Sequence, residues 1–256
     1  MGRIEPLERS SLLTKGIAKR AAGAMVLVLA GVAAAGADDH VASELKRSYM
    51  GRTYPAQPSE VWLGADRTYV REGAVVVITR TDLGKRWVIL PGRKKYLEEP
   101  LTAAPEKEGP AAPVRLQEYG FDYEPAYEWS FHETGETATV GGLRCRKYVA
   151  RGDAEYAEEV REMWVAESPP IDAKAYFERV VKPGLDPAWL RIYQGHGPLK
   201  RGLVMRSVTT TEPAIAPTMM IEILVTKLET LPPPAGIYDL PGGLRKVTTR
   251  AELYAR

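Results

Sequence analysis

A single cysteine, Cys145, occurs in 256 residues, so no disulfide can form within the chain and its stability has to come from packing. The sequence lacks HExxH, a paired CxxC, a glycine-rich phosphate loop and GxSxG, which removes the common signatures of zinc hydrolysis, redox, nucleotide and acyl-serine chemistry. Of the three histidines, His132 and His196 lie far apart with no ligand partner at metal spacing, so structural or surface roles are expected. No apolar run reaches the ~20 residues that a membrane-spanning helix needs. Internal repeats and low-complexity tracts are also absent. Neither sign of charge dominates, with 35 basic and 33 acidic side chains.

What charge asymmetry there is sits at the start. Arg3, Arg9, Lys15, Lys19 and Arg20 precede an apolar run at 21–35, and Ala35-Gly36-Ala37 follows with the small residues that a leader peptidase accepts. This reads as a secretory signal peptide over 1–37, cleaved before Asp38. An uncleaved anchor is the alternative, since 25–30 is strongly apolar. No adjacent Arg-Arg pair marks a twin-arginine route, and no cysteine follows the run to carry a lipid. Five basic and two acidic side chains give 1–37 a net charge of +3. The whole chain is +2, so the mature body is left at −1. A near-neutral body has no field for nucleic acid, which is set aside, and no transmembrane span is expected after cleavage. The expected location is the periplasm.

The remaining residues, 38–256, read as one β-rich domain. Short runs rich in Val, Ile, Tyr and Trp at 59–63, 68–72, 74–81, 86–90 and 94–98 alternate with turn residues, the pattern of an antiparallel meander. A proline-punctuated loop is expected at 100–113. Further strands are expected at 126–133, 138–140, 143–150 and 158–166, with turns at Gly135-Glu136 and Gly141-Gly142. Runs at 202–211 and 219–228 complete the set. Two helices break it: one over 173–181 capped by Asp172 and ended by Pro183-Gly184, and one from Pro187 to about Gln194 capped by Asp186. Short helices inserted in a β meander must bury their apolar stripes on the sheet, so they are candidates for a lid.

The strands at 74–78 and 87–90 are apolar at every position, so each of their faces is covered or lines a cavity. The candidate cavity residues are Trp62, Tyr69, Val76, Ile78, Trp87, Ile89 and Trp164 on strands, with Tyr176, Phe177, Val180 and Leu190 on the lid. An ordinary filled core is the plainer reading of the same residues. Other signals are weaker. Ser43-Glu44-Leu45-Lys46 matches SxxK without its companion motifs. Cys145 alternates away from Arg144 and Arg146 and is expected to point inward, where free thiols are inert. A mature terminus Asp38-Asp39-His40 could wrap copper or nickel through its amine and amides, although a frayed terminus is the simpler expectation. The basic turn at Arg93-Lys94-Lys95 reads as a solvated hairpin, and only weakly as a lipid-headgroup contact. No catalytic residue, metal or cofactor is assigned.

The stretch 61–71, from Val61-Trp62-Leu63-Gly64 to Tyr69-Val70-Arg71, is followed by 78–91, with Ile78-Thr79-Arg80-Thr81-Asp82-Leu83-Gly84 and Trp87-Val88-Ile89-Leu90-Pro91. Later come Lys95-Tyr96-Leu97-Glu98, the run 140–148, Trp164-Val165-Ala166-Glu167 and the closing 234–241. Together these resemble the periplasmic lipoprotein-carrier (LolA/LolB-like) superfamily, and within it an uncharacterised exported branch. The resemblance covers nearly all of 38–256 but consists of strand-and-turn patterns. It implies an incomplete, curved antiparallel β-barrel with short helices as plug or lid and an apolar interior. By that resemblance the partner would be a hydrophobic small molecule, a lipid or a lipoprotein acyl chain, and the protein would not be an enzyme. The alternative is an interaction or sensor domain on the same scaffold, with the cavity closed and an envelope protein as partner. The chain is longer than the carriers, its helices fall late, and no arginine can be assigned to the carriers' lid lock.

Overall fold

The computed structural model describes residues 36–101 and 127–255. One sheet runs through them, built from β1 (Asp38–Tyr49), β2 (Arg52–Thr53), β3 (Gln57–Leu63), β4 (Arg67–Glu72), β5 (Val75–Arg80), β6 (Lys85–Leu90) and β7 (Lys95–Pro100). It continues through β8 (Glu128–Val140), β9 (Leu143–Ala154), β10 (Ala157–Ala166), β11 (Leu203–Pro213), β12 (Met219–Leu231) and β13 (Arg245–Val247). The helices are α1 (Ala173–Tyr176), α2 (Pro187–Gly195), α3 (Gly197–Arg201) and α4 (Arg250–Tyr254).

The strand order is β13-β7-β6-β5-β4-β3-β1-β12-β11-β10-β9-β8, with β2 beside the end of β1. Every pairing is antiparallel except β13 on β7. The sheet is open and curved. At the β8–β9 turn it curls far enough that a Cβ on Gly141 would meet the Met205 side chain of β11 and the Val225 carbonyl of β12. This incomplete barrel with short helices is the architecture expected from the sequence.

Alternation divides the sheet into two faces. On the inner face Val41, Val61, Val225 and Leu228 pack under Ile171, Tyr176 and Val180, which belong to the insert 167–202 joining β10 to β11. On the outer face Trp62, Val76, Ile78, Trp87 and Ile89 pack against Tyr238, with Ile237, Leu240 and Leu244 beside it. The stretch 232–244 is therefore a strap laid across β3–β7. It leads into β13 and then α4, whose Leu253 is fully buried against Leu90 and Leu97.

Several expectations need correction. Gly135-Glu136 is not a turn: β8 is one strand whose register slips between Glu133 and Thr137, with Gly135 at φ 78°. A bulge needs the same positive-φ glycine that a turn does, so the residue signal is shared. The helix expected over 173–181 is α1 for four residues, then a π-turn over Phe177–Val181 and a 3₁₀ turn at Lys182–Gly184. Its cap is as expected: the Asp172 carboxylate accepts from the Ala175 N–H at 2.9 Å, and Asp186 does the same for Trp189 at 2.9 Å. Pro100 closes β7, while 102–113 of the expected loop, like 1–35 of the expected signal peptide, lies outside the described residues.

The basic turn has a structural task. Lys95 donates to the carbonyls of Glu252 and Ala255 at 3.0 and 2.8 Å, and Arg93 to that of Tyr254, so both cations cap the C-terminal end of α4. Beside it, burial tends to raise the Glu99 carboxyl, but hydrogen bonds and charge from Arg86 and Arg250 outweigh this and hold it below its ordinary value. Hydrogen bonds from Trp87 and Lys246 hold Glu98 down as well. A carboxyl lowered in the folded state adds stability above its unfolded pKa and loses it as pH falls through the folded one. Amide protection factors in 245–254 should therefore fall between pH 7 and about pH 3, ahead of those in β11.

Candidate ligand-binding face

The insert 167–202 covers the inner face in two sections. Ile171, Tyr176 and Val180 lie on the central strands, where Cys145, Ala166, Leu203 and Met205 complete the cluster. Phe177, Trp189, Tyr193 and Leu199 lie on the β8–β10 wing against Tyr148, Ala150, Met163 and Val165. Aromatic contacts fix the second section: Trp129 meets Trp189 edge-on at 4.8 Å, Phe177 stacks on Tyr193 at 5.3 Å, and the Arg161 guanidinium lies 3.7 Å over Trp189. Gly152 is needed there, because a Cβ at that position would come within 2.9 Å of the Trp129 ring.

The first section is tied down by polar contacts. Arg179, on the π-turn, reaches the β3–β4 turn and donates to the carbonyls of Gly64, Ala65 (3.0 Å) and Arg67 (2.8 Å). Burial lowers its pKa, and Asp66 and Asp38 pull it back up. The Asp39 carboxylate also accepts from the Asp172 N–H at 3.0 Å. These contacts hold the insert at the end of the sheet where β1 begins.

Away from that end the cover stops while the apolar surface continues. Ser43 pairs with Val225 and Leu45 with Ile223, so Leu45, Ile223 and Ile221 share the inner face with Val225. Leu45 and Ile221 are half-buried and Ile223 is 41% exposed. Near the covered part, a recess of about 80 Å³ lies between Gly141, Leu143, Pro170, Met205, Val225 and Leu228. Typical ligand pockets hold roughly 300–1,000 Å³, so a hydrocarbon tail does not fit this recess as it stands.

The residues singled out from the sequence are divided by this geometry. Trp62, Tyr69, Val76, Ile78, Trp87 and Ile89 come together on the outer face beneath the C-terminal strap. Tyr176 and Val180 lie on the inner face with the central cluster, Trp164 packs at its margin between Lys147 and Arg206, and Phe177 and Leu190 join the β8–β10 wing. The six strand residues are thus not beneath the helices. Arg179, Leu45, Ile221 and Ile223 were missed: an arginine bonded to carbonyls leaves no sequence motif, and β1 is too charged to stand out as a strand.

The weaker candidates resolve as follows. Cys145 is fully buried and its burial pushes the thiol pKa up, away from nucleophilic chemistry. The copper or nickel terminus is overturned, because Asp38 pairs with β12 and Asp39 and His40 pair with both β3 and β12, which places this segment in the sheet. His40 is buried, stacked on Trp62 at 4.3 Å, with Nδ1 2.9 Å from Glu229 and Nε2 3.3 Å from Glu60. His196 packs at 4.0 Å against Phe131, and His132 is exposed on β8. Among the described residues, no group of three His, Cys, Asp or Glu side chains is placed to hold a metal, and no helix is long and apolar enough to cross a membrane.

No family profile and no curated protein matches the sequence. Among solved structures, the chain is similar to PNGF-II at 13% identity and a TM-score of 0.36, over 83% of this chain and 31% of that one. It therefore spans less than a third of that protein's length. It is similar to a DUF1329 family protein from Desulfovibrio piger at 12% identity and a TM-score of 0.32, over 82% and 92% of the two chains. A LolA superfamily protein from Nitrosomonas europaea is similar at 9% identity and a TM-score of 0.29, over 79% and 90%.

Proposed function

We propose that this is an exported, non-enzymatic binding protein that holds an acyl chain, lipid or lipoprotein against the inner face of its half-barrel. The insert 167–202 serves as a movable cover. The observation that carries the reading is the apolar row Val225, Ile223 and Ile221 along β12, with Leu45 beside Ile223. It leaves the insert at buried Val225, is 41% exposed at Ile223 and half-buried at Leu45 and Ile221, and is flanked by Ser43, Arg47, Ser207 and Thr209. Apolar surface left open on a concave face favours an apolar occupant.

The recess beneath the insert is too small for a chain, so uptake on this reading requires the cover to shift. Its composition suits that. A four-residue helix followed by a π-turn has little stability of its own and is held by packing and by Arg179. The β8–β10 section, with its stacked rings, is the better anchored half. Opening is therefore expected at α1 first.

Native mass spectrometry of the protein expressed with its leader and purified from the periplasm provides the test. A mass excess of one lipid, lost on delipidation and regained on adding fatty acid, is the expected result. A bare mass that no fatty acid alters, with no response from an apolar dye, would overturn the reading.

A second reading, an interaction domain for another envelope protein, is favoured by a different observation. Met50 and Tyr54 near the β1–β2 turn, Tyr156 between β9 and β10, and Ile215 between β11 and β12 are all exposed, Ile215 to 85%. The pairs Tyr49–Met219 and Ala157–Pro213 bring these turns to one end of the sheet. Bare mass together with loss of an envelope cross-link in Ile215→Asp would support this reading instead.

A further inference from the structure

The bond at which the leader is expected to end, Ala37–Asp38, joins an exposed residue to one that is only 6% exposed. Asp38 is the first residue of β1, and β1 lies in the middle of the sheet between β3 and β12. In register, Asp38 faces Leu231, Asp39 faces Thr230 and Leu63, and His40 faces Glu229 and Trp62.

The side chains add further bonds. The Tyr238 hydroxyl of the strap donates to the Asp38 carboxylate at 2.7 Å within the core. A Cβ at Gly64 would lie 3.0 Å from that carboxylate, so the β3–β4 turn also closes over it. Asp39 accepts from the Thr230 hydroxyl at 2.8 Å and from the Asp172 N–H at 3.0 Å. Within two residues of the bond, the chain is held by β12, β3, the strap and the insert.

Peptidases act on extended chain with residues accessible on both sides of the cut, and folded proteins are cut where the backbone opens locally. A central strand opens only with most of the sheet. We propose that leader removal and folding compete for Asp38 and Asp39, so that a precursor that folds first can no longer be cut and keeps its apolar leader. The cut is a hydrolysis: water gives its hydroxyl to the Ala37 carbonyl carbon and a proton to the Asp38 nitrogen, and only water and the peptidase are needed.

The topology favours the peptidase during synthesis. Asp38 pairs with Leu231 and is bonded by Tyr238, and both residues emerge near the end of the chain. Contacts so distant in sequence form late, which leaves the bond open while the chain is being made. A chain released and folded before it meets the peptidase would keep its leader.

This inference rests on the export reading, and the test separates the two. The full-length chain is synthesised in a cell-free reaction with leader peptidase in detergent, added either during synthesis or after folding. A second precursor carries Gly-Ser-Gly inserted between Ala37 and Asp38. The expected result is a product beginning at Asp38 when peptidase is present during synthesis, and cutting slowed at least about a hundredfold once the chain has folded. The spacer precursor should be cut at both times. Equal cutting of the folded and nascent unmodified chain would overturn the competition. Failure to cut even the nascent and spacer chains would overturn its premise, the leader itself.

Discussion

Trp87→Ala should lower stability by about 3–5 kcal/mol, read as a fall in the urea midpoint at unchanged slope. Trp87 is 7% exposed on the outer face, packed with Trp62, Ile78, Ile89 and Tyr238. Its indole N–H donates to Glu98 at 2.9 Å, so truncation opens a cavity and removes one of the hydrogen bonds to a carboxylate that Lys246 still holds. The strap that covers it is anchored beyond Leu244 by β13 and α4, so the site cannot collapse freely around the void. The same variant should bind an apolar ligand as the wild type does, because its side chain faces away from the insert. A loss below about 1 kcal/mol would mean that the outer face is loosely filled and that the strap is not part of the core.

Arg179→Ala should tighten the apparent affinity for an environment-sensitive apolar dye. Arg179 holds the π-turn to three carbonyls of the β3–β4 turn. Hydrogen bonds from a charged donor contribute about 1.5–3 kcal/mol, and water recovers part of the loss, so about 2 kcal/mol of closure should disappear. That is a shift of roughly thirtyfold toward the open state, and apparent affinity rises in proportion while the closed state still dominates. Arg179→Lys should fall between, since a point ammonium cannot span carbonyls that a planar guanidinium reaches together. Unchanged or weaker dye binding in a folded Arg179→Ala protein would argue that the insert is a fixed part of the core.

The sequence carried most of the sheet, because β3–β7 and β9–β12 alternate short β-branched runs with clear turns. It did not carry β1. The segment Asp38–Tyr49 is rich in charge, and its central place rests on pairing with residues nearly two hundred positions away. α4 was legible in principle, since Thr249 accepts from the Glu252 N–H at 3.1 Å and the Glu252 carboxylate accepts from the Thr248 N–H at 2.9 Å, a variant of the T-x-x-E capping box.

The candidate site was legible only in part. Strands apolar on both faces, such as β6, announce two covered surfaces without saying which one is concave. Large aromatics drew the reading to Trp62 and Trp87, which the strap covers. The strap, rich in proline and glycine, gave no sign of lying across a sheet. The smaller residues Leu45, Ile221 and Ile223 mark the open inner surface, and only the register of β1 on β12 shows that they share a face.

The central claim is that the inner face, and not the aromatic outer one, receives the ligand. Photo-cross-linking with a diazirine-bearing fatty acid, followed by peptide mapping, tests it most directly. Label on β12 around Ile221 and Ile223 and on β1 at Leu45, displaced by unlabelled fatty acid, is the predicted result. Label concentrated on Trp62, Trp87 or the strap at 237–244, or label that competitor does not displace, would contradict it.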